Sequence, residues 1–363
     1  MSQKFDIAVI GAGMAGASLA AALAARGGAS VCLVEGEDAP GYHATGRSAA
    51  FWVESYGGPG VQPLTAASGP ALHDLGVLTV RHGLTIGRAE QADEVAAFAQ
   101  TFRAMDVEVE ELGRAEIARR IPGLRPAWTH GALEPTTCDI DVARLHQHYL
   151  AAARQAGTPI RCRASLRAAR REQGGWRLDL ADGATLEAGI LVNAAGAWAD
   201  SVAQMAGARA LGITPLRRTI AQLVLDAPVP EDLPLVLDIA GGFYFKPENG
   251  RLWLSPHDET PSAPCDAAPE ELDIALAIDR FEKVVDWRIA RVEHRWAGLR
   301  SFAPDRLPVY GFDAEVEGFF WCAGQGGFGI QTAPAGADLA ARLLLGEAAG
   351  AVDPAPYSPL RFS

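Results

Sequence analysis

FDIAVIGAGMAGASLAAALAARGGASVCLVE, residues 5–35, carries the strongest fold signal in the chain. FDIAVI is a short apolar run suited to a central parallel strand buried on both faces. A glycine turn follows, then an alanine-rich helix to about residue 26, then a second apolar run, VCLV, closing on an acid. Strand, turn, helix, strand and acidic cap in that order make one βαβ unit. The three glycines serve different purposes. Gly11 permits the tight turn, Gly13 lets the backbone approach a pyrophosphate, and Gly16 lets the helix pack close to the strand. The helix start at Met14 and Ala15 offers amides and a positive dipole end to phosphate. Glu35 is placed to accept from a ribose hydroxyl.

The same stretch limits another reading. Residues 9–25 carry no charge and follow Lys4, so a hydropathy window would flag a signal peptide or a short membrane span. Three glycines interrupt the run, and it is short for a span. We therefore expect no integral membrane segment.

Outward from this unit the pattern alternates. Residues 41–50 are a polar stretch, unlike the immediate return to a third strand of a plain NAD domain. Residues 78–87 read as a strand pair, and 91–105 and 114–121 as helices. Residues 141–155 read as an amphipathic helix with Asp141 at its start and Gly157 beyond its end. Residues 186–196 (LEAGILVNAAG) form a second strand running into a glycine turn. Residues 211–286 turn to β, with a hairpin over 243–254 across Asn249-Gly250. A last apolar strand, 318–323, ends in GQGGFG and a helix over 332–345. The expected architecture is a mixed α/β chain: a dinucleotide-binding domain of residues 1–75, 138–212 and 295–363, threaded through an antiparallel-sheet substrate domain of 76–137 and 213–294.

At 363 residues the chain exceeds what one core usually fills. Its formal charge of −12 opposes a phosphate-backbone binder, so nucleic acid is not an expected partner. Five scattered cysteines without C-x-x-C spacing suggest neither a disulfide framework nor a metal site, and fit a reducing cytoplasm.

Six ordered motifs span almost the whole chain: VIGAGMAGAS (9–18), PGYHATGRSAA (40–50), LVNAAGAWAD (191–200), FYFKP (243–247), HRWAGLRSFAPD (294–305) and GFFWCAGQGGFGIQT (318–332). Together they resemble the FAD-dependent D-amino-acid oxidase superfamily, within it most closely the bacterial D-arginine dehydrogenase and glycine oxidase type. The resemblance implies a glutathione-reductase-like FAD domain. It also implies hydride transfer from a substrate Cα–H to flavin N5, giving an imine that hydrolyses to a 2-oxo acid and ammonia. FAD contacts would come from the first glycine loop, from Thr45, Gly46, Arg47 and Ser48, from Ala195 and Gly196, and from Gly326, Gly327, Phe328, Gly329 and Ile330. The last loop would present amides where negative charge develops on the ring.

An amino-acid substrate calls for a bidentate cation, and arginine's planar fork suits a carboxylate. Arg300 matches the family's carboxylate anchor, and Arg218 is a second candidate. Tyr244, in FYFKP, matches the family's active-site tyrosine, and Tyr56 is a similar case. At the side-chain end of the pocket, Gly83 stands where the arginine-specific relative carries a glutamate, Phe51 where it carries a histidine, and Val53 where it carries a threonine. A buried cationic side chain would lack its partner there, so the expected substrate is a D-amino acid with a small or apolar side chain. Two alternatives stand beside it: an oxidase or dehydrogenase of N-substituted glycines or other secondary amines, and a flavoprotein whose FAD is structural or an electron relay. Retention of Arg300, Tyr244 and GQGGFG favours catalysis over a structural flavin. Residues 300–308 contain no cysteine, so the FAD is expected to be non-covalent. Either oxygen or a quinone serves as electron acceptor.

Overall fold

The computed structural model describes residues 3–172 and 174–363. Strand β1 (Gln3–Ile10), helix α1 (Met14–Arg26) and strand β2 (Val31–Val34) form the expected βαβ unit, the strands running parallel from Ile7↔Val31 to Ile10↔Val34. The turn is glycine-dependent for two separate reasons. Gly11 sits at φ +104°, and a Cβ there would lie 2.3 Å from the Ala194 carbonyl oxygen. At Gly16 a Cβ would lie 1.9 Å from the Gly11 oxygen, so the helix could not approach its strand. Alanines on α1 let it pack closely on the helices Val142–Gln155 and Ala333–Leu345.

These strands belong to an eight-stranded sheet. The strand Thr185–Asn193 runs parallel to β1 along nearly all of its length. Its other edge is shared: the first half holds Gly175–Leu180 antiparallel, and the last three residues hold Phe319–Ala323 parallel. Apolar clusters cover both faces of the sheet, which is why parallel strands such as Val31–Val34 and Phe319–Ala323 read as unbroken hydrophobic runs.

A ten-stranded sheet stands beside it. Its spine is the antiparallel pair Thr214–Leu225 and Ile289–Phe302, with Leu216 opposite Arg300 and Arg218 opposite Gly298. The hairpin Tyr244–Glu248 and Arg251–Ser255 turns at Asn249 (φ 49°) and Gly250 (φ 72°), the two positive values that a tight hairpin turn needs. Residues 78–87 do contain two strands, but not a mutual pair. Leu78–Val80 joins Cys138–Ile140 in a small three-stranded sheet, while Gly83–Arg88 lies between Leu235–Asp238 and Trp128–Glu134 in the large one. His82, at φ 60°, redirects the chain between them. Within the β-rich part a helix also forms, Glu271–Glu282, burying Ile274, Ala277 and Phe281 at helical spacing.

No helix among the described residues is long and apolar enough to cross a membrane.

Candidate active site

The two sheets meet at an open cleft of about 1330 Å³, part of it shared with solvent. One end is walled by the first glycine turn. Gly11, Gly13, Met14, Ala15 and Glu35 all line it. Glu35 extends from the end of β2, and its carboxylate accepts from the amides of Ala12 at 2.9 Å and Glu37 at 3.0 Å. Thr45 Oγ1 accepts from the Met14 amide at 2.9 Å, so the polar stretch after β2 folds back over the start of α1. Ser48, Ala195 and Gly196 continue the wall.

Arg47 also lines the cleft, but its guanidinium is bound into the protein: it donates to the carbonyls of Ala267 (2.9 Å) and Ala297 (3.1 Å) and pairs with Asp266. Gly326, Gly327, Gly329 and Ile330 form the opposite rim. Three of the expected FAD contacts lie behind the wall. Gly16 packs on Gly11, Gly46 packs on the Gly41 carbonyl, and Phe328 is buried against Tyr56 and Phe302.

At the other end two arginines converge. Arg218 and Arg300 occupy diagonal positions on one face of the paired strands, the arrangement that brings long side chains together. Arg218 is 3% exposed; its Nε donates to the Asp258 carbonyl at 2.7 Å and its Nη2 to Glu259 at 3.2 Å, while Nη1 has no partner. Burial, then the Arg300 charge, pulls the Arg218 pKa below its ordinary value. Arg300 Nη1 donates to the Tyr56 hydroxyl at 2.6 Å. The Tyr244 hydroxyl is fully buried and has no hydrogen-bond partner. Phe51 stands edge-on to both tyrosines, with ring centroids 5.1 and 5.8 Å away. Burial pushes the Tyr56 pKa up, but Arg300 and Arg218 outweigh it and hold it below the usual phenol range.

An unpaired buried N–H and an unpaired buried hydroxyl beside two guanidiniums are costly unless something fills the gap. A carboxylate satisfies them all.

Phe51 lines a small side pocket with Arg300, Gly327, Ile330 and Gln331. Val53 is buried behind it, its amide donating to Gln331 at 3.3 Å. Gly83 does not line the cleft; it faces Thr137, and its strand neighbour is Glu134. That neighbour matters, because an acid does stand near position 83 after all, supplied by the adjacent strand. Glu134 is 2% exposed, takes the Ser55 hydroxyl hydrogen and the Ser55 amide (3.3 Å), and is pushed up to about 7 by burial.

Sequence reading missed Glu134, Gln331 and His257. Gln331 donates to the Tyr56 carbonyl at 3.0 Å and to Thr65 at 2.9 Å, fixing the segment that carries Tyr56. His257 stands against Tyr56 and Tyr244. Gln331 alone had a signal, its place at the end of the GQGGFGIQT motif.

The chain matches the DAO family, described as FAD dependent oxidoreductase, over residues 6–343. The chain belongs to this family. DAO-family enzymes bind FAD, and FAD is the cofactor. Among curated proteins, this DAO-family chain is 30% identical to hydrogen cyanide synthase subunit HcnC of Pseudomonas aeruginosa, over all of its own length and 97% of the relative's. It is 27% identical to a glycine oxidase of Geobacillus kaustophilus over 99% and 98% of the two chains. In fold it is similar to the crystal structure of that organism's glycine oxidase (TM-score 0.85, 23% identity, 98% of each chain). It is also similar to L-proline dehydrogenase from P. horikoshii (TM-score 0.87, 21% identity, 100% and 98%).

The donor set fits FAD. Amides at the start of α1 and the Glu35 carboxylate suit the phosphates and ribose of its ADP half, and the glycine-rich rim from Gly326 to Gly329 suits the ring.

Proposed function

We propose that this protein oxidises the Cα–N bond of a small α-amino acid with a free carboxylate, with glycine and N-substituted glycines foremost. The observation that carries this reading is the convergence of Arg300 and Arg218 with the unpartnered Arg218 Nη1 and Tyr244 hydroxyl. Arg300 and Arg218 anchor the carboxylate, and Tyr244 donates its hydroxyl hydrogen to it. FAD, when bound, supplies the acceptor for the hydride that leaves Cα. The packed walls of Phe51, Tyr244 and Tyr56 exclude water and set the orientation of the Cα–H.

A small substituent is favoured because the side pocket beside Arg300 has room for about one water molecule. The glycine oxidase relatives support the same substrate size. A second reading, D-amino acids with an apolar side chain, draws support from the apolar wall of Phe51, Ile220 and Tyr244, backed by Val53. A purely structural or electron-relay flavin has no use for a carboxylate clamp. We also hold the FAD to be non-covalent: Cys322 is buried in the strand before the glycine rim, and burial pushes its thiol up to about 12, far from thiolate character.

Anaerobic mixing with glycine, N-methylglycine, D-alanine, D-methionine and D-arginine tests the reading by loss of the yellow colour. Glycine-type substrates should bleach fastest and D-arginine slowest. Equal bleaching by amines that lack a carboxylate, or none by any amino acid, would overturn it.

A further inference from the structure

His257 reaches the site from just beyond the strand Arg251–Ser255, at φ +56°, a left-handed conformation that is uncommon outside glycine and asparagine. Its Nδ1 lies 2.9 Å from the Gly241 carbonyl oxygen and its Nε2 3.3 Å from the Tyr56 hydroxyl. A carbonyl oxygen only accepts, so Nδ1 carries the hydrogen. Burial, with Arg218, Arg300 and Arg306 nearby, holds the imidazole neutral by pulling its pKa down to about 3. A neutral ring with its hydrogen on Nδ1 presents only a lone pair at Nε2.

The single hydrogen of Tyr56 therefore points at His257. From the other side Arg300 Nη1 donates to the same phenolic oxygen. Arg218 also faces this oxygen, so what Tyr56 retains is lone-pair capacity and no hydrogen. Tyr244 is the opposite case, because its buried hydroxyl has no partner and its hydrogen is free for a carboxylate oxygen.

We propose that His257 is a positioning residue that makes Tyr56 an acceptor, so that Tyr56 reads the amino end of the substrate through its N–H while Arg300, Arg218 and Tyr244 hold the carboxylate. The inference rests on the amino-acid reading above and adds which end each tyrosine reads. It follows that an acid with a hydrogen-bond donor on its α-substituent is favoured. An acid offering only an acceptor there faces lone pair against lone pair and is disfavoured.

The test titrates the FAD-loaded protein with two isosteric pairs: glycolate against propionate, and methoxyacetate against butyrate. Binding is read from perturbation of the flavin absorbance and, independently, from the rise in unfolding temperature. In the wild type, glycolate should bind more tightly than propionate and methoxyacetate more weakly than butyrate, each by roughly three- to tenfold, the size of one hydrogen bond gained or opposed. His257→Asn suits φ > 0, retains a donor near Gly241 and cannot reach Tyr56. In that variant the Tyr56 hydrogen can turn to the ligand, and methoxyacetate should bind at least as tightly as butyrate. Tyr56→Phe should remove glycolate's advantage over propionate, and it keeps the test decisive should His257→Asn fail to fold. If all four acids bind the wild type and methoxyacetate matches butyrate, the role given to His257 and Tyr56 is overturned alone. If none of the four binds, the amino-acid reading falls with it.

Discussion

Arg300 and Tyr56, 244 positions apart in the chain, are joined by a 2.6 Å hydrogen bond in which the guanidinium donates to the phenolic oxygen. Arg300 comes from the spine of the large sheet, and Tyr56 from the loop that follows Phe51–Trp52. The bond ties the loop carrying Tyr56 to Arg300, which lines the cleft, and the proposed carboxylate site depends on it.

Arg300→Ala should leave the fold and FAD content near wild type while weakening carboxylate binding by about 2 to 5 kcal/mol, the usual cost of removing one partner of a buried charge pair. Arg300→Lys should recover only part, because an ammonium keeps the charge but loses the fork. Titration with propionate checks both. Unchanged affinity in the alanine variant would make the arginine structural.

Gly11→Ala should cost about 1 to 3 kcal/mol or more and strip FAD from the purified protein. The added Cβ would meet the Ala194 carbonyl, and φ +104° is hostile to it besides. Gly28→Asn is the control: φ is +81°, but nothing lies within 4 Å of a Cβ there. It should keep its flavin. The flavin-to-protein absorbance ratio and the unfolding temperature separate the two.

Glu134 should make the protein less stable as the pH rises through neutrality. Its folded pKa is raised to about 7, so the folded state favours the protonated carboxyl. That stabilisation is fully present below the ordinary value of 4.5 and is lost as the pH climbs from there through the folded one. Relative to Glu134→Gln, the wild type should lose about 2 to 3 kcal/mol between those limits. Unfolding temperatures of both proteins measured across this range give the difference directly. Parallel curves would show that the carboxyl titrates normally.

Acid precipitation should leave the colour in the supernatant, and chromatography should identify it as FAD. Cys265 is the cysteine that lines the cleft, so Cys265→Ser provides the sharpest control. Flavin retained in the pellet of the wild type but released from this variant would refute non-covalent binding.

The βαβ unit, the Asn249-Gly250 hairpin and the family are all legible in the amino-acid order. These features are local: a buried strand, a glycine turn and a left-handed turn each need particular residues within a few positions of one another. Arg300, Arg218 and Tyr244 also stand out there, and the structure does bring them to the cleft. Gly83 is different: it faces Thr137 instead of the cleft, and no local pattern shows that Glu134 would stand beside it. The helix Glu271–Glu282 is hidden within a stretch whose neighbours are all strands. That His257 takes the Tyr56 hydrogen, and that Arg218 keeps an unpaired N–H beside Arg300, emerges only once the chain is folded. The arginine pair follows from strand register, where a shift of one position turns every side chain to the other face, and the His257–Tyr56 contact from two loops that meet only across about two hundred residues of chain.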